Sequence, residues 1–390
     1  MVKTVLRPFI ALLFTALLAS HAAAFDTRAK AAFVIDVTTG TVLLAKDADA
    51  PLPPASMSKL MTLYVAFEAI RDGRLSLEER LPVSSHAMSY GGSTMFLDTT
   101  DRVRVQDLLR GIIVLSGNDA CAVIAEALSP DGTEAGFAAL MTRRAQQMGM
   151  TSSQFANSNG WPDPGQRMSM RDLALLARHL IEDFPEYYSM FSEKEFPFDG
   201  RAPQNVRNRN PLLGLGIGAD GLKTGHTQEA GYGLVGSAKQ GDRRVIFAFS
   251  GLQSQQARAE EAEAIVNWSF RQFSQNTVAK AGTIIANAEV WMGQSAKVGL
   301  TTAQDLVVLL PAMGGSQIQG EVIYTSPLPA PIAKGQKLAD LVLRPDGLPE
   351  QRFPLVAATD VAKGGFLSRV STASKVLLRR LQDGPAEGAS

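Results

Sequence analysis

Apolar and polar positions alternate through "AAFVIDVTTGTVLLAKD", residues 31–47, on either side of Thr38-Thr39-Gly40. A period of two broken by a turn predicts a β-hairpin. From Pro53 onward, in "PPASMSKLMTLYVAFEAI", the apolar step lengthens to three and four. Leu60, Leu63 and Phe67 then share one face of an amphipathic helix that stops near Gly73. The same helical period runs through "RVQDLLRGIIVLS", "NDACAVIAEAL", "EAGFAALMTRRAQQMG" and "SMRDLALLARHLIEDF". Asn118 and Ser169 stand where two of these helices need caps.

The period then returns to two. "GLKTGHT", "AGYGLVGSAKQ" and "RRVIFAFSGL" are short, rich in β-formers and separated by turn residues, which predicts consecutive antiparallel strands. A helix over about residues 255–273 closes the unit. Strands, helices, strands and a last helix predict an α+β fold, an antiparallel sheet with helices on its faces. From about residue 277 to 362 the helical period is gone. "TIIANAEVWMG", "KVGLTTAQDLVVLLP", "QGEVIYTS" and "FPLVAATDV" predict a small β-rich domain. In "FLSRVSTASKVLLRRL", Phe366, Val370, Leu377 and Leu381 share a helical face while Arg369, Lys375, Arg379 and Arg380 supply charge. Such a helix either lies on an anionic membrane surface or covers the β-rich domain. The polar tail after it is expected to be disordered. The resulting division is 1–24, 25–275, 276–364, 365–382 and 383–390.

Composition narrows the function classes. The 390 residues are 45% hydrophobic and 19% charged with zero net charge, which describes a folded, water-soluble body and gives nucleic acid no electrostatic reason to bind. The length exceeds what one core ordinarily supports, in keeping with two domains. Residues 1–24 stand apart: Lys3 and Arg7, an apolar run from Phe9 to Leu18, then Ala22-Ala23-Ala24. That is the layout of an export signal cut after Ala24. One cysteine, Cys121, allows no internal disulfide and reads as a small buried residue. No H-E-x-x-H, C-x-x-C or clustered His/Asp pattern occurs, so no metal or other cofactor is expected. No G-x-S-x-G occurs either, which removes the nucleophile elbow of the α/β-hydrolases.

The candidate chemistry begins at Ser56 and Lys59. Three residues apart on a helix, hydroxyl and ammonium can touch. A serine at a helix start also lies beside free N–H groups able to stabilise an oxyanion. Lys59 could act as a base only if neutral, which burial or a second cation would favour. S-x-x-K alone occurs by chance in chains of this length. Two further stretches change the odds. "LSGND" places Ser116 and Asn118 at a turn between helices, and "DGLKTGHT" places Lys223, Thr224 and Gly225 on a strand. This ordered set of S-x-x-K, S-x-N and K-T-G is the signature shared by serine β-lactamases and penicillin-binding proteins.

With these motifs, and with "GGSTMFL", "RGIIVLSGNDACAVIAE", "KEFPF", "NRNPLL" and the helix bearing Trp268, the chain from about Ala31 onward resembles the D-alanyl-D-alanine carboxypeptidases, the low-molecular-mass penicillin-binding proteins. The resemblance implies a β-lactamase-like domain, a β-rich domain and a C-terminal amphipathic membrane anchor. It implies peptidoglycan stem peptides as substrates, β-lactams as covalent inhibitors, and a place on the outer face of the cytoplasmic membrane. By the same resemblance Ser56 is the acylated nucleophile and Lys59 its base. Ser116 passes a proton to the leaving amine and Asn118 holds a substrate amide. Lys223 adds positive potential, Thr224 binds the substrate carboxylate, and the N–H groups of Ser56 and His226 form the oxyanion hole. Arg258 assists with the terminal carboxylate, the alternative being a solvated helix-start arginine. For His226, whose place beside K-T-G invites a triad, a backbone role with local ring packing is expected, because Lys59 already serves as base.

Two other functions fit part of the pattern. A serine β-lactamase shares the acylation step, but a class A enzyme carries a glutamate for deacylation, and no E-x-x-L-N stretch lies between Ser116 and Lys223. A silent wall-binding module could keep the fold, yet all three motifs are intact.

Overall fold

In the computed structural model, residues 25–312, 318–345 and 348–365 are described. The expected export signal, C-terminal amphipathic helix and tail lie outside the described residues.

The expected hairpin is β1 (Ala31–Asp36) with β2 (Thr41–Lys46). A small ribbon, β3 (Arg80–Pro82) with β4 (Arg102–Arg104), precedes the long strands β5 (Ala219–Thr227), β6 (Gly231–Gln240) and β7 (Arg243–Leu252). One antiparallel sheet runs β2-β1-β7-β6-β5, so the strand carrying Lys223 is an edge. Around it pack α1 (Lys59–Arg71), α2 (Ser85–Met88), α3 (Val105–Arg110), α4 (Asn118–Leu128), α5 (Glu134–Gln147), α6 (Met170–Asp183), α7 (Pro185–Tyr188) and α8 (Gln255–Arg271).

The period of two assigns each sheet face a core. Phe33, Val235, Ile246 and Ala248 join the residues of α1, α4, α5 and α6. Val34, Leu234, Phe247 and Phe249 face the other way and meet Ala262, Ile265 and Val266 of α8. Three layers result, with the sheet in the middle. Burying one such large side chain stabilises the fold by about 2–3 kcal/mol. Ser169 caps α6 as expected, its hydroxyl accepting the N–H of Asp172 at 3.1 Å. In α6 the buried Leu173, Leu176, Ala177 and Leu180 follow the helical step.

Two expectations about helices fail, for physical reasons. The amphipathic helix α1 is buried on almost every face, with each residue from Lys59 to Phe67 in the interior. Helices α4, α5 and α6 surround it, so a polar face toward solvent has no place. Asn118 does not cap α4. Gly117 occupies the cap position, and the Asn118 side chain turns into the interior toward Lys59.

α8 ends at Arg271, and β8 (Phe273–Ala279) begins at once. Arg243 ties this junction: its guanidinium reaches Asp36 at 2.9 Å and donates to the carbonyls of Ser269 and Phe273 at 3.0 and 2.7 Å. The strands that follow are β9 (Ile284–Trp291), β10 (Lys297–Thr301), β11 (Leu306–Pro311), β12 (Gln319–Ile323), β13 (Leu328–Pro329), β14 (Lys337–Arg344) and β15 (Gln351–Ala357). Six form a sheet in the order β12-β14-β15-β10-β9-β13, while β11 pairs with β8. The run "KVGLTTAQDLVVLLP" is thus two strands in different sheets. β8 and β14 were missed by the alternation pattern: β8 is half polar, and β14 hides six of its eight residues wholly or partly without strict alternation. This domain has its own core of Ala288, Val298, Leu300, Leu341, Leu355 and their neighbours.

Candidate active site

Pro53 and Pro54 lead into a short 3-10 turn, Ala55–Ser58, which runs directly into α1. Ala55 has φ 48°, a left-handed conformation that costs a non-glycine residue free energy. The loop residue Gly160 lies against this turn. A Cβ on Gly160 would stand 1.9 Å from the Ala55 carbonyl oxygen, and its φ is +84°. Gly225 of β5 meets the same turn from the sheet side, with Met57 and Pro54 3.0 Å from where its Cβ would be. Glycine at both places lets the strand and the loop close on the serine.

Ser56 caps nothing. Its hydroxyl is partly exposed and lies 2.7 Å from Lys59 Nζ. Lys59 is fully buried. Its Nζ also donates to Asn118 Oδ1 at 2.7 Å and to the Asn159 carbonyl at 2.6 Å. The Asn118 amide is oriented by its other end, where Nδ2 donates to the Gly91 carbonyl at 2.8 Å. An ammonium has three protons for these three acceptors. A neutral amine has two, which the amide and carbonyl oxygens accept, and its lone pair is left facing the Ser56 hydroxyl.

Burial pulls the Lys59 amine down from 10.5 to about 8, with the Arg209 guanidinium adding to the effect and the Asp119 and Glu134 carboxylates opposing it. The ammonium is thereby disfavoured by roughly 3 kcal/mol. At pH 7 about one Lys59 in ten is neutral, against about one in three thousand for an unperturbed lysine. Lys223 is equally buried, and burial, then Lys59 and Arg209, push it well below the usual lysine range. Its Nζ donates to the Thr224 carbonyl at 3.2 Å. Lys223 pairs across the sheet with Val235, whose side chain belongs to the helical core, so both point toward the α1 face.

Ser116 is 2% exposed and left-handed, φ 63°, at the end of a π-helical turn, Gly111–Leu115, that extends α3. Such a turn interrupts the helix register next to the site. Among the described residues its hydroxyl makes no hydrogen bond to Lys59. Asn118 also holds the strip 91–97 in place, its N–H donating to the Ser93 carbonyl at 2.7 Å. Asp119 does more of this: its buried carboxylate accepts the N–H groups of Met95 and Leu97 at 2.9–3.1 Å. Replacing Asp119 by alanine leaves those donors unpaired, and about 2–4 kcal/mol of stability is expected to be lost in denaturant titrations.

Thr224 is buried beside Lys223, and His226 is exposed on the same edge strand. The His226 ring stacks on Tyr232, directly across the sheet, at 3.8 Å between centroids. No acid pairs with it among the described residues, in keeping with local packing rather than a triad. Arg258 is not a solvated arginine: it is 4% exposed, because α8 lays it under Tyr232, with its guanidinium 5.8 Å from that ring. Its Nη2 donates to the Arg209 carbonyl at 3.4 Å, and its Nε is buried with no partner. The residues that sequence reasoning missed are Arg209, Asn159 and Gly160. Arg209 reaches the Ser93 hydroxyl and raises the positive potential at both lysines. "NRNPLL" had drawn attention to its segment but not to its charge. Cys121 is buried in the core as expected, with burial pushing its thiol up to about 12.

The three motifs, distant in sequence, therefore meet at the turn that bears Ser56: Lys59 touches its hydroxyl, Asn118 touches Lys59, and Gly225 closes on Pro54 and Met57. Residues 18–252 match the family described as D-alanyl-D-alanine carboxypeptidase, and residues 273–363 match the penicillin-binding protein 5 C-terminal domain. The chain is 36% identical to D-alanyl-D-alanine carboxypeptidase DacC of Escherichia coli over 88% of its own length and 86% of that protein's. It superposes on penicillin-binding protein 5 of Haemophilus influenzae with a TM-score of 0.75, at 33% identity, covering 87% of this chain and 98% of that one. Penicillin-binding protein D2 of Listeria monocytogenes, in an ampicillin-bound form, matches 62% of this chain and 97% of its own at TM-score 0.56 and 32% identity. A serine hydroxyl 2.7 Å from a buried lysine amine, the S-x-N turn, the K-T-G edge strand and these likenesses agree, and the chain belongs to the D-alanyl-D-alanine carboxypeptidase family of serine peptidases.

Proposed function

We propose that Ser56 is the acylated nucleophile and that neutral Lys59 is its base, in hydrolysis of the terminal D-Ala-D-Ala bond of peptidoglycan stem peptides. The observation that carries this is the 2.7 Å approach of Lys59 Nζ to Ser56 Oγ with its two other contacts both acceptors. Lys59 takes the hydroxyl proton as Ser56 Oγ attacks the carbonyl carbon. The oxyanion is held by the N–H groups of Ser56 and His226. The proton taken by Lys59 is then relayed through the Ser116 hydroxyl, which gives one proton to the amine of the departing D-Ala and regains one from Lys59, and water releases the acyl group from Ser56. Splitting the reaction in this way replaces one difficult step by two easier ones.

Substrate binding follows the edge. An extended peptide adds to the open side of β5, its main chain pairing with the strand. Its terminal carboxylate is drawn to Thr224 and to the positive charge of Arg209 and Arg258, and its arrival favours the charged form of Lys223 that burial opposes. Asn118 Nδ2 carries a second N–H beyond the one given to Gly91, and that proton holds a substrate amide. Arg258→Ala is expected to raise KM for a carboxylate-ended peptide about tenfold with kcat little changed. Equal kinetics for a peptide ending in an amide and one ending in a carboxylate would remove this role.

The same first step makes β-lactams covalent inhibitors. Mass spectrometry of the mature protein incubated with benzylpenicillin tests the function: a long-lived adduct on the peptide containing Ser56 is expected. An adduct lost within seconds would favour a β-lactamase, and no adduct would favour a silent module. The leader pattern of residues 1–24 and the basic amphipathic pattern of 366–381 support export and peripheral attachment to the outer face of the cytoplasmic membrane. Sedimentation with anionic vesicles tests that attachment, and it should fail for a chain ending at residue 364.

A further inference from the structure

Glu134 belongs to none of the three motifs. It lies in the first turn of α5 and is 8% exposed. Its Oε1 accepts both the N–H of Ser158, at 2.9 Å, and the Ser158 hydroxyl, at 2.5 Å. Its Oε2 accepts the Tyr90 hydroxyl at 2.7 Å and faces Nε2 of the half-exposed His86 at 2.7 Å. From the opposite side, Thr62 of α1 donates its hydroxyl to the Ser158 carbonyl at 2.5 Å. The next carbonyl along the chain, that of Asn159, is the one that accepts from Lys59 Nζ.

We infer that Glu134 is a positioning residue for the base: by gripping Ser158 it fixes the Asn159 carbonyl, and with it the direction of the Lys59 lone pair toward Ser56. Four polar groups converge on one buried carboxylate, which is more than capping a helix needs, since Thr133 already caps α5. Burial opposes the charge on Glu134, yet the hydrogen bonds from Ser158, Tyr90 and His86 hold its carboxyl below the usual glutamate range, so it remains an anion. That anion also favours the ammonium form of Lys59 through space, against burial and Arg209 and alongside Asp119. Removing its charge while keeping its shape therefore moves a property that a merely structural residue would leave alone.

The test uses the full mature chain and a chromogenic cephalosporin, with acylation followed in stopped flow from pH 6 to 10. Glu134→Ala is expected to slow acylation on the order of 10²-fold, the effect of a loosened catalytic group. Glu134→Gln keeps an oxygen for Ser158, slows acylation less, and shifts the acid limb about half a unit to lower pH. Wild-type rates in both variants would overturn the inference, as would an acid limb unmoved in Glu134→Gln. If Glu134→Ala does not fold, Glu134→Gln decides alone. The inference rests on Lys59 as base, and the two failures are distinguishable. Without that role Lys59→Arg acylates normally, whereas failure of the Glu134 role alone leaves Lys59→Arg inactive beside normal Glu134 variants.

Discussion

Lys59→Arg is expected to lower acylation of Ser56 by about 10⁴-fold while leaving the fold intact, the loss that follows from removing a general base. Arginine keeps the positive charge and could still touch Ser56, Asn118 and Asn159. It cannot surrender its proton at any pH the protein tolerates, so no lone pair faces the hydroxyl. The substitution thus separates a base from a cation that merely organises the site. Stopped-flow acylation by a penicillin, with circular dichroism to check folding, reads both. Near-normal acylation would reject Lys59 as base. The buried position argues for some loss of stability too, since a permanent charge must be accommodated where the lysine could shed its own.

Gly160→Ala is expected to have the next largest effect, through geometry alone. The added methyl would stand 1.9 Å from the Ala55 carbonyl oxygen and 2.6 Å from Ser58 Oγ, on a backbone whose φ of +84° already disfavours any side chain. Neither neighbour is free to give way: Ala55 itself holds a left-handed conformation, and the Ser58 hydroxyl donates to the Ala55 carbonyl at 3.0 Å. Overpacking plus backbone strain costs about 3 kcal/mol. What relaxes must be either the turn carrying Ser56 or the loop carrying the Asn159 carbonyl. Acylation should fall on the order of 10²-fold even in the fraction that folds. Urea titration gives the first quantity and acylation kinetics the second. A variant as stable and as reactive as the parent would show that this close approach is not a requirement of the site.

Much of the fold was legible because the sheet has two different faces. Period-two stretches marked β1, β2, β5, β6 and β7, and the helical step marked α4, α5 and α6. What was not legible came from three-dimensional surroundings. α1 carries a helical period, but only its neighbours decide that its polar face is absent. Asn118 is of a residue type that caps helices but stands one place past the cap, Gly117, and its side chain accepts from Lys59 instead. β8 carries four polar residues in a row, Ser274 to Thr277, because it forms a two-stranded ribbon with β11 rather than part of a larger sheet. The site divides in the same way. S-x-x-K, S-x-N and K-T-G carry their chemistry in residue types at fixed spacing, so Ser56, Lys59, Ser116, Asn118, Lys223 and Thr224 could be named in advance. Asn159 acts through its backbone carbonyl, which any residue could supply, and Gly160 through an absent side chain. Arg209 acts by charge on Lys59 from far along the chain, and Glu134 by hydrogen bonds on Ser158, 24 positions away. None of these leaves a pattern in the sequence.

The uncharged state of Lys59 is tested most directly by the pH dependence of acylation in the wild type. The base must lose its proton before it can accept another, so the rate rises with pH through the point where the ammonium titrates. An acid limb centred near 8 is expected, where burial has brought the amine from its ordinary 10.5. A rate that is flat from pH 6 to 10, or one that climbs only beyond 10, would contradict it.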